Sequence, residues 1–85
     1  MATVTASPLI RLHQNDNILV ARENLALGAQ LPEFGLRLRA QVPAGHKIAA
    51  RAIAEGDAVR KYDTVIGFAA RAIEPGEHVH THNLR

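Results

Sequence analysis

The sequence has 85 residues, enough for one small domain, and 47% of them are hydrophobic, which predicts a folded rather than a disordered chain. There is no cysteine, so disulfides, thiolate nucleophiles and thiolate metal ligands are excluded. The 10 Lys and Arg residues against 8 Asp and Glu residues are scattered and only 4% of residues are aromatic, so we expect no nucleic-acid partner.

In chain order, the sequence predicts a flexible N-terminus over residues 1–8 and a single domain over residues 9–85. No apolar run approaches the roughly 20 residues of a membrane-spanning helix, so we expect a cytoplasmic protein with no membrane partner. The residues Asn-Asp-Asn at 15–17 predict a turn. Residues 18–21 are apolar and rich in β-formers, which predicts a strand buried on both faces.

Three further segments follow. Residues 36–42 alternate apolar and polar side chains, as a half-buried strand does. Residues 49–55 can form a short helical turn between two glycines. Residues 64–69 predict a second strand buried on both faces, in which Gly67 indicates a bulge or a close approach of backbone.

A short repeat organises the chain. Residues 51–59 are similar to residues 71–79, and both segments start with Arg-Ala-Ile. Both also contain a shared pattern in which a glycine lies three residues after one aliphatic residue and three residues before another. Residues 25–31 and 42–48 match the same pattern. In the copy Glu-Pro-Gly-Glu at 74–77, Pro and Gly occupy the positions that a type II turn requires. The repeat predicts an all-β chain of short strands joined by tight turns.

Three histidines near the end of the sequence are candidates for metal or substrate binding. His78, His80 and His82 are spaced by two, so on a strand they would share one face. A His-x-His pair can supply two metal ligands, and further ligands could come from His13, His46 or Asp16. The alternative is a terminal strand with three exposed or hydrogen-bonded histidines. Spacing alone leaves both open.

Basic residues beside the turns could contact an anionic substrate. Among them are His46, Lys47 and Lys61, with Tyr62 next to the last. Each of them alone is better explained as a solvated surface residue, because loops commonly carry exposed lysines. The sequence has no nucleophile elbow, P-loop or dinucleotide-binding glycine motif.

Several motifs together resemble the SAF domain of the altronate/galactarate dehydratase family, and also the alpha subunit of sulfolactate sulfo-lyase. They are IRLH at 10–13, NDN at 15–17, VPAGHKIA at 42–49, KY at 61–62, VIG at 65–67 and GEHVHTHNL at 76–84. The resemblance extends over nearly the whole chain from residue 10. It departs at Asp63, where Gly is common, and at His78, where altronate-type members often have Trp.

The resemblance implies a β-clip fold of the SAF type, with short strands, tight glycine turns and at most one short helix. It implies β-elimination of water or sulfite from a sugar acid or another 2-hydroxy acid such as altronate, galactarate or sulfolactate. A divalent metal, iron(II) or another, would assist, held either by this chain or mainly by the larger partner. A larger catalytic subunit or domain would hold most of the machinery, and the isolated chain is expected to be inactive.

The family motifs also imply site residues, although no catalytic residue can be assigned. The substrate-binding candidates are His46, Lys47, Lys61 and Asn83, and the metal-binding candidates are His80 and His82. Because an 85-residue domain with few aromatics has a small core, we expect a homo-oligomer or a complex with the larger partner. The alternative function is a free-standing β-clip module for binding or oligomerisation, without catalysis.

Overall fold

The computed structural model describes residues 7–85, which form short strands and one 3₁₀ helix. The strands are β1 (Leu9–Ile10), β2 (Ile18–Ala21), β3 (Gln30–Leu31), β4 (Leu36–Arg37), β5 (Lys47–Ala49), β6 (Ala58–Lys61), β7 (Thr64–Phe68) and β8 (His78–Val79). The all-β prediction is confirmed. Residues 1–6 of the segment expected to be flexible lie outside the described residues, whereas the carbonyl of Pro8 accepts a hydrogen bond from the amide of Arg22 at 2.8 Å.

A four-stranded antiparallel sheet in the order β1-β2-β5-β8 lies between two small hydrophobic cores. Successive side chains of a strand point to opposite faces, so β2 contributes Leu19 to one core and Ile18 to the other. β5 does the same with Ile48 and Ala49. All four side chains are fully buried, which confirms the predicted strand at 18–21.

The four predicted glycine turns are all present. Gly28, Gly45, Gly56 and Gly76 have φ between 83° and 87°, and each turn is closed by a hydrogen bond from its fourth residue to its first. This is the geometry of a type II turn, in which a side chain at the third position would be strained. The local pattern therefore determined the turns correctly.

The repeats pair with one another in two sets. Leu25 and Val42 exchange two backbone hydrogen bonds of 2.8 and 2.9 Å, and Ile53 and Ile73 exchange two of 2.8 Å. Each repeat thus contacts another repeat just before its turn. The result is a clip of interlocked loops rather than a stack of long strands.

The β6–β7 hairpin corrects one prediction. The segment at 64–69 was expected to be buried on both faces, but Val65, Ile66 and Phe68 are 41%, 39% and 47% exposed. The expected irregularity at Gly67 is confirmed, because the register shifts beside it, where it faces Val59. The backbone of Arg85 also lies close to Gly67, because a Cβ atom at position 67 would be 2.7 Å from the Arg85 carbonyl oxygen.

Two other predictions hold only in part. In the segment at 36–42 the alternation of buried and exposed side chains is confirmed, but only Leu36–Arg37 forms a strand, paired with β3. No helical turn forms at 49–55. The one helix in the described part of the chain is a 3₁₀ turn at Pro32–Phe34, which starts with proline and ends at Gly35. Within residues 7–85, no helix is long and apolar enough to cross a membrane.

The turn at 74–77 offers a test of the fold. Gly76→Ala should destabilise the domain more than Gly45→Ala, because both glycines have φ above 80° but only a Cβ at position 76 would overlap the Arg37 carbonyl. We expect about 1–2 kcal/mol from the left-handed backbone in each variant. The overlap should add about 1–3 kcal/mol in Gly76→Ala. Chemical denaturation measures both, and equal losses would contradict the close contact.

Candidate functional site

Three imidazole rings converge where β5 lies beside β8. His46 ends the turn that leads into β5, and the antiparallel register that pairs Lys47 with Val79 places His46 opposite His80. Their ring centroids are 4.6 Å apart. His78, which begins β8, has its Nε2 atom 2.8 Å from Nδ1 of His46. One donor nitrogen from each of the three histidines lies within 4.8 Å of the others.

The short contact between His46 and His78 has a chemical consequence. Two imidazole lone pairs cannot face each other at 2.8 Å without repulsion, so one of the rings holds a proton on the shared side. A divalent cation can replace that proton, because neutral imidazole nitrogen is a common ligand of such ions. The arrangement therefore suits either a shared proton or a metal ion.

The prediction that His78, His80 and His82 lie on one strand is wrong in its secondary structure. β8 ends at Val79, and residues 80–83 form a turn in which the Asn83 amide donates to the His80 carbonyl at 3.1 Å. The rings nevertheless stay close, with centroids 5.4 Å apart for His78 and His80 and 5.6 Å for His78 and His82. Within the described residues, the three-histidine group contains His46 and His78 with His80, and not His82.

Asn83 is buried and supports this turn from inside. Its side-chain oxygen accepts a hydrogen bond from the His80 amide at 2.9 Å, and its side-chain nitrogen donates to the His78 carbonyl at 2.9 Å. Both amide atoms are thus engaged with the backbone that carries the histidines. A substrate-binding role for Asn83 stays a prediction, while its structural role here is to position His78 and His80.

Lysine side chains make the same face positively charged. Burial, and then the charge of Lys61, lowers the pKa of Lys47 below its ordinary value. Burial also lowers the pKa of His78, with smaller contributions from the three other histidines and from Lys47. Both shifts have the same origin, since a half-buried group beside other cations is easier to keep neutral. The neutral form of His78, which is the form that can bind a metal ion, is therefore favoured, and the lysine charges favour an anion.

The other two ligand candidates, Asp16 and His13, lie outside the cluster. The buried carboxylate of Asp16 accepts hydrogen bonds from the amides of Tyr62 and Asp63, at 2.9 and 2.7 Å. Those two residues have φ of 56° and 60°, as in the type I′ turn of a two-residue hairpin loop. Asp63 thus adopts the backbone that a glycine would favour. Asp16 holds the hairpin tip, and with it the adjacent Lys61, beside the sheet.

The cluster lies on an open face of the domain. Its histidines are half-buried or exposed, and they line neither the groove around Arg51 nor the groove around Leu36. The metal-compatible group found among residues 7–85 also includes no Asp or Glu. The nearby Glu77 carboxylate is engaged instead with the Asn83 side chain at 3.4 Å and with Arg71 at 3.6 Å.

The sequence analysis identified most of these residues but not their grouping. His78 was noted as a departure from the family motif, and it is the residue that joins His46 to His80. The pairing of His46 with His78 depends on contacts between segments 32 residues apart, so no local pattern could reveal it. The role of Asp16 was missed for the same reason.

Comparison with known proteins gives a consistent result. The family model described as altronate/galactarate dehydratase SAF domain matches residues 7–85. Altronate dehydratase of Bacillus subtilis is 37% identical over 78 residues, and altronate dehydratase of Escherichia coli is 42% identical over 78 residues. Each match covers 89% of this chain but only 16% of the dehydratase.

A shorter relative is also similar. The alpha subunit of (2R)-sulfolactate sulfo-lyase from Paracoccus pantotrophus is 45% identical over 53 residues, which cover 62% of this chain and 79% of that subunit. The domain therefore occurs both within a long chain and as most of a short subunit. The resemblance seen in the motifs is confirmed.

The interaction between the two lysines is directly testable. Lys61→Gln should raise the pKa of Lys47, since it removes the positive charge, while burial keeps the value below that of a free lysine. Lys61→Arg is the matched control, because it keeps the charge and should leave the Lys47 titration nearly unchanged. NMR detection of the lysine side chains follows the titration. Identical Lys47 curves in wild type and Lys61→Gln would contradict the contact.

The lowered pKa of His78 predicts a pH dependence of stability in the metal-free protein. Its folded-state pKa lies below the ordinary 6.5, so the unfolded chain binds the proton more readily as the pH falls through that value. The contribution is present above pH 6.5 and is lost toward the lower folded-state pKa. His78→Gln should therefore reduce the loss of unfolding free energy between about pH 7 and pH 5. Denaturation at pH 8 isolates the packing cost, and parallel pH profiles would contradict the prediction.

Proposed function

The chain belongs to the altronate/galactarate dehydratase SAF domain family, and we propose that it forms one wall of the active site of a dehydratase or lyase. The substrate class is a sugar acid or another 2-hydroxy acid, as the names altronate and sulfolactate suggest. The observation that carries the proposal is the convergence of His46, His78 and His80 beside Lys47 on an open face.

The proposed reaction is a β-elimination. A base removes the proton from the carbon next to the carboxylate, and hydroxide or sulfite leaves from the adjacent carbon. The enol that forms takes up a proton to give a 2-keto acid. Negative charge builds up on the substrate during the first step, so positively charged groups and hydrogen-bond donors lower its barrier.

The side chains of this domain suit the binding part of that task. Lys47 and Lys61 are placed to attract the carboxylate of the substrate, and their mutual repulsion is relieved when an anion lies between them. In the absence of a metal ion, His46 and His78 share a proton across 2.8 Å, and they can hold or release it without moving. The substrate-binding set proposed here is therefore His46, Lys47 and Lys61.

A divalent metal fits the same histidines. Three neutral imidazoles with donor atoms within 4.8 Å form a ligand set that suits iron(II) or zinc. We assign the metal to His46, His78 and His80, with His82 at the border of the site. When bound, such an ion would polarise the substrate oxygen atoms and stabilise the charge that develops there.

The remainder of the machinery is proposed to lie in a larger catalytic domain or subunit. The chain spans 16% of the length of the altronate dehydratases that it matches. The histidine cluster contains no carboxylate that could act as a base. A second body facing this wall would both supply that base and close the site against water.

The metal assignment predicts different effects for substitutions of different histidines. His46→Ala and His80→Ala should weaken binding of cobalt(II), followed by its visible absorption spectrum, and should lower kcat/KM of the assembled enzyme on the order of 10²-fold. His82→Ala should weaken metal binding less, because His82 is outside the three-histidine group. His13→Ala, which changes a histidine elsewhere, is the control.

Three results would overturn the proposal. The first is a folded His46→Ala or His80→Ala variant with normal turnover of altronate, galactarate and sulfolactate. The second is turnover by the chain alone, which would place the whole machinery in this domain. The third is an assembled enzyme that acts on none of these acids, which would favour a module for binding or oligomerisation.

A further inference from the structure

Most of the large apolar side chains exposed on this domain belong to one hairpin. The described residues include five exposed large hydrophobics, of which only Leu27 lies elsewhere. The other four are on β7 or at the hairpin tip, namely Tyr62, Val65, Ile66 and Phe68, and their exposed fractions run from 39% to 65%. A concentration of this kind on a small domain marks an interaction surface rather than ordinary exposure.

One edge of β7 is also incompletely paired. Its Phe68 exchanges two backbone hydrogen bonds of 2.8 Å with Arg85, and Ala69 forms a bridge with Leu84. Residues 83–85 thus run antiparallel to the end of β7 and point along its free edge toward the hairpin tip. In a relative whose chain continues past the position of Arg85, the next residues would leave the domain beside this hairpin.

The hairpin is continuous with the candidate active site. Lys61 ends β6 at the hairpin tip, β6 contacts β2, and β2 pairs with β5, the strand that Lys47 begins beside the histidine cluster. The buried carboxylate of Asp16 fixes the tip against the sheet. A partner seated on the hairpin would therefore also reach the open side of the histidines.

We propose that the exposed face of the β6–β7 hairpin is the docking surface for the larger catalytic part of the enzyme. This inference rests on the proposed function and adds to it the location of the interface. The matching surface of the catalytic part is apolar at its centre, where it meets Ile66 and Phe68. It has a carboxylate at its border, where it faces the exposed Arg85.

A second copy of this domain fits the same surface less well. A symmetric dimer built on the hairpin would bring Lys61 of both copies near one another, and the Asp63 carboxylate at each tip already lies 3.9 Å from Arg60 of its own copy. The catalytic part can supply both opposite charge and the missing base. The relatives also show that this domain accompanies a larger chain, since it covers only 16% of the altronate dehydratases.

Photo-crosslinking locates the partner without requiring turnover. A photoreactive phenylalanine analogue replaces Phe68 in the assembled enzyme. The catalytic part is included either as a separate subunit or as a continuation of the same chain, whichever the genes encode. We expect crosslinked peptides from the catalytic part. Peptides from the hairpin of a second copy, or no crosslinks at all, would overturn the proposal.

Substitutions test the energetic contribution of the same surface. Ile66→Glu and Phe68→Glu should weaken assembly about tenfold or more, since buried apolar residues at the centre of an interface dominate its affinity. Leu27→Glu is the matched control, because Leu27 is 67% exposed but lies on a different turn, and it should assemble normally. The milder Ile66→Ser guards against misfolding, and circular dichroism verifies each variant. Normal assembly of folded Ile66→Glu and Phe68→Glu would contradict the docking surface.

The two proposals can fail separately. Crosslinking to the catalytic part without turnover of any 2-hydroxy acid would keep the interface and reject the proposed reaction. Turnover that is sensitive to His80→Ala but insensitive to Ile66→Glu would keep the reaction and reject the interface.

Discussion

The structure depends on the glycine turn, because each turn both reverses the chain and connects it to another segment. The amides of Gly45 and Gly76 donate hydrogen bonds to the carbonyls of Ala21 and Ala49, each 2.8 to 2.9 Å away. These bonds lock the turns beside β2 and β5, and the strands that follow them, β5 and β8, then pair. Since His46 ends one turn and His78 follows the other, the same backbone constraint brings the two histidines together.

The parts of the fold that follow from local chemistry could be predicted from the sequence. A glycine with φ above 80° is required by the turn itself, so the four turns were visible in the repeat. A glycine within a predicted strand indicated a bulge or a close backbone approach at Gly67, but not that the approaching backbone is that of Arg85. The pairing of one repeat with another was not visible, because it depends on which loops meet in three dimensions. Spacing likewise placed His78 and His80 together but gave no indication that His46 completes the group.

The errors in the predictions have a common physical cause. The apolar segment at 64–69 was interpreted as buried because hydrophobic side chains normally avoid water, yet Val65, Ile66 and Phe68 are partly exposed in this domain. Sequence patterns report that a side chain will be buried, but they do not say whether the covering surface belongs to the same chain. The polar residues show the converse, since Asp16 and Asn17 look like loop residues but are buried, with their side chains bonded to the β6–β7 hairpin.

Lys61 lies between two surfaces of the domain, the face with the histidine cluster and the exposed apolar face of the β6–β7 hairpin. On one side of it, burial and then the repulsion of neighbouring positive charges lower the pKa of Lys47 and of His78. On the other side, apolar side chains of the hairpin remain in contact with water. Both arrangements cost free energy in the isolated domain, and its two small cores leave little to offset that cost. An anionic substrate would relieve the first, and an apolar partner surface would relieve the second. Because the two lie side by side, assembly with a catalytic partner and binding of substrate should reinforce each other.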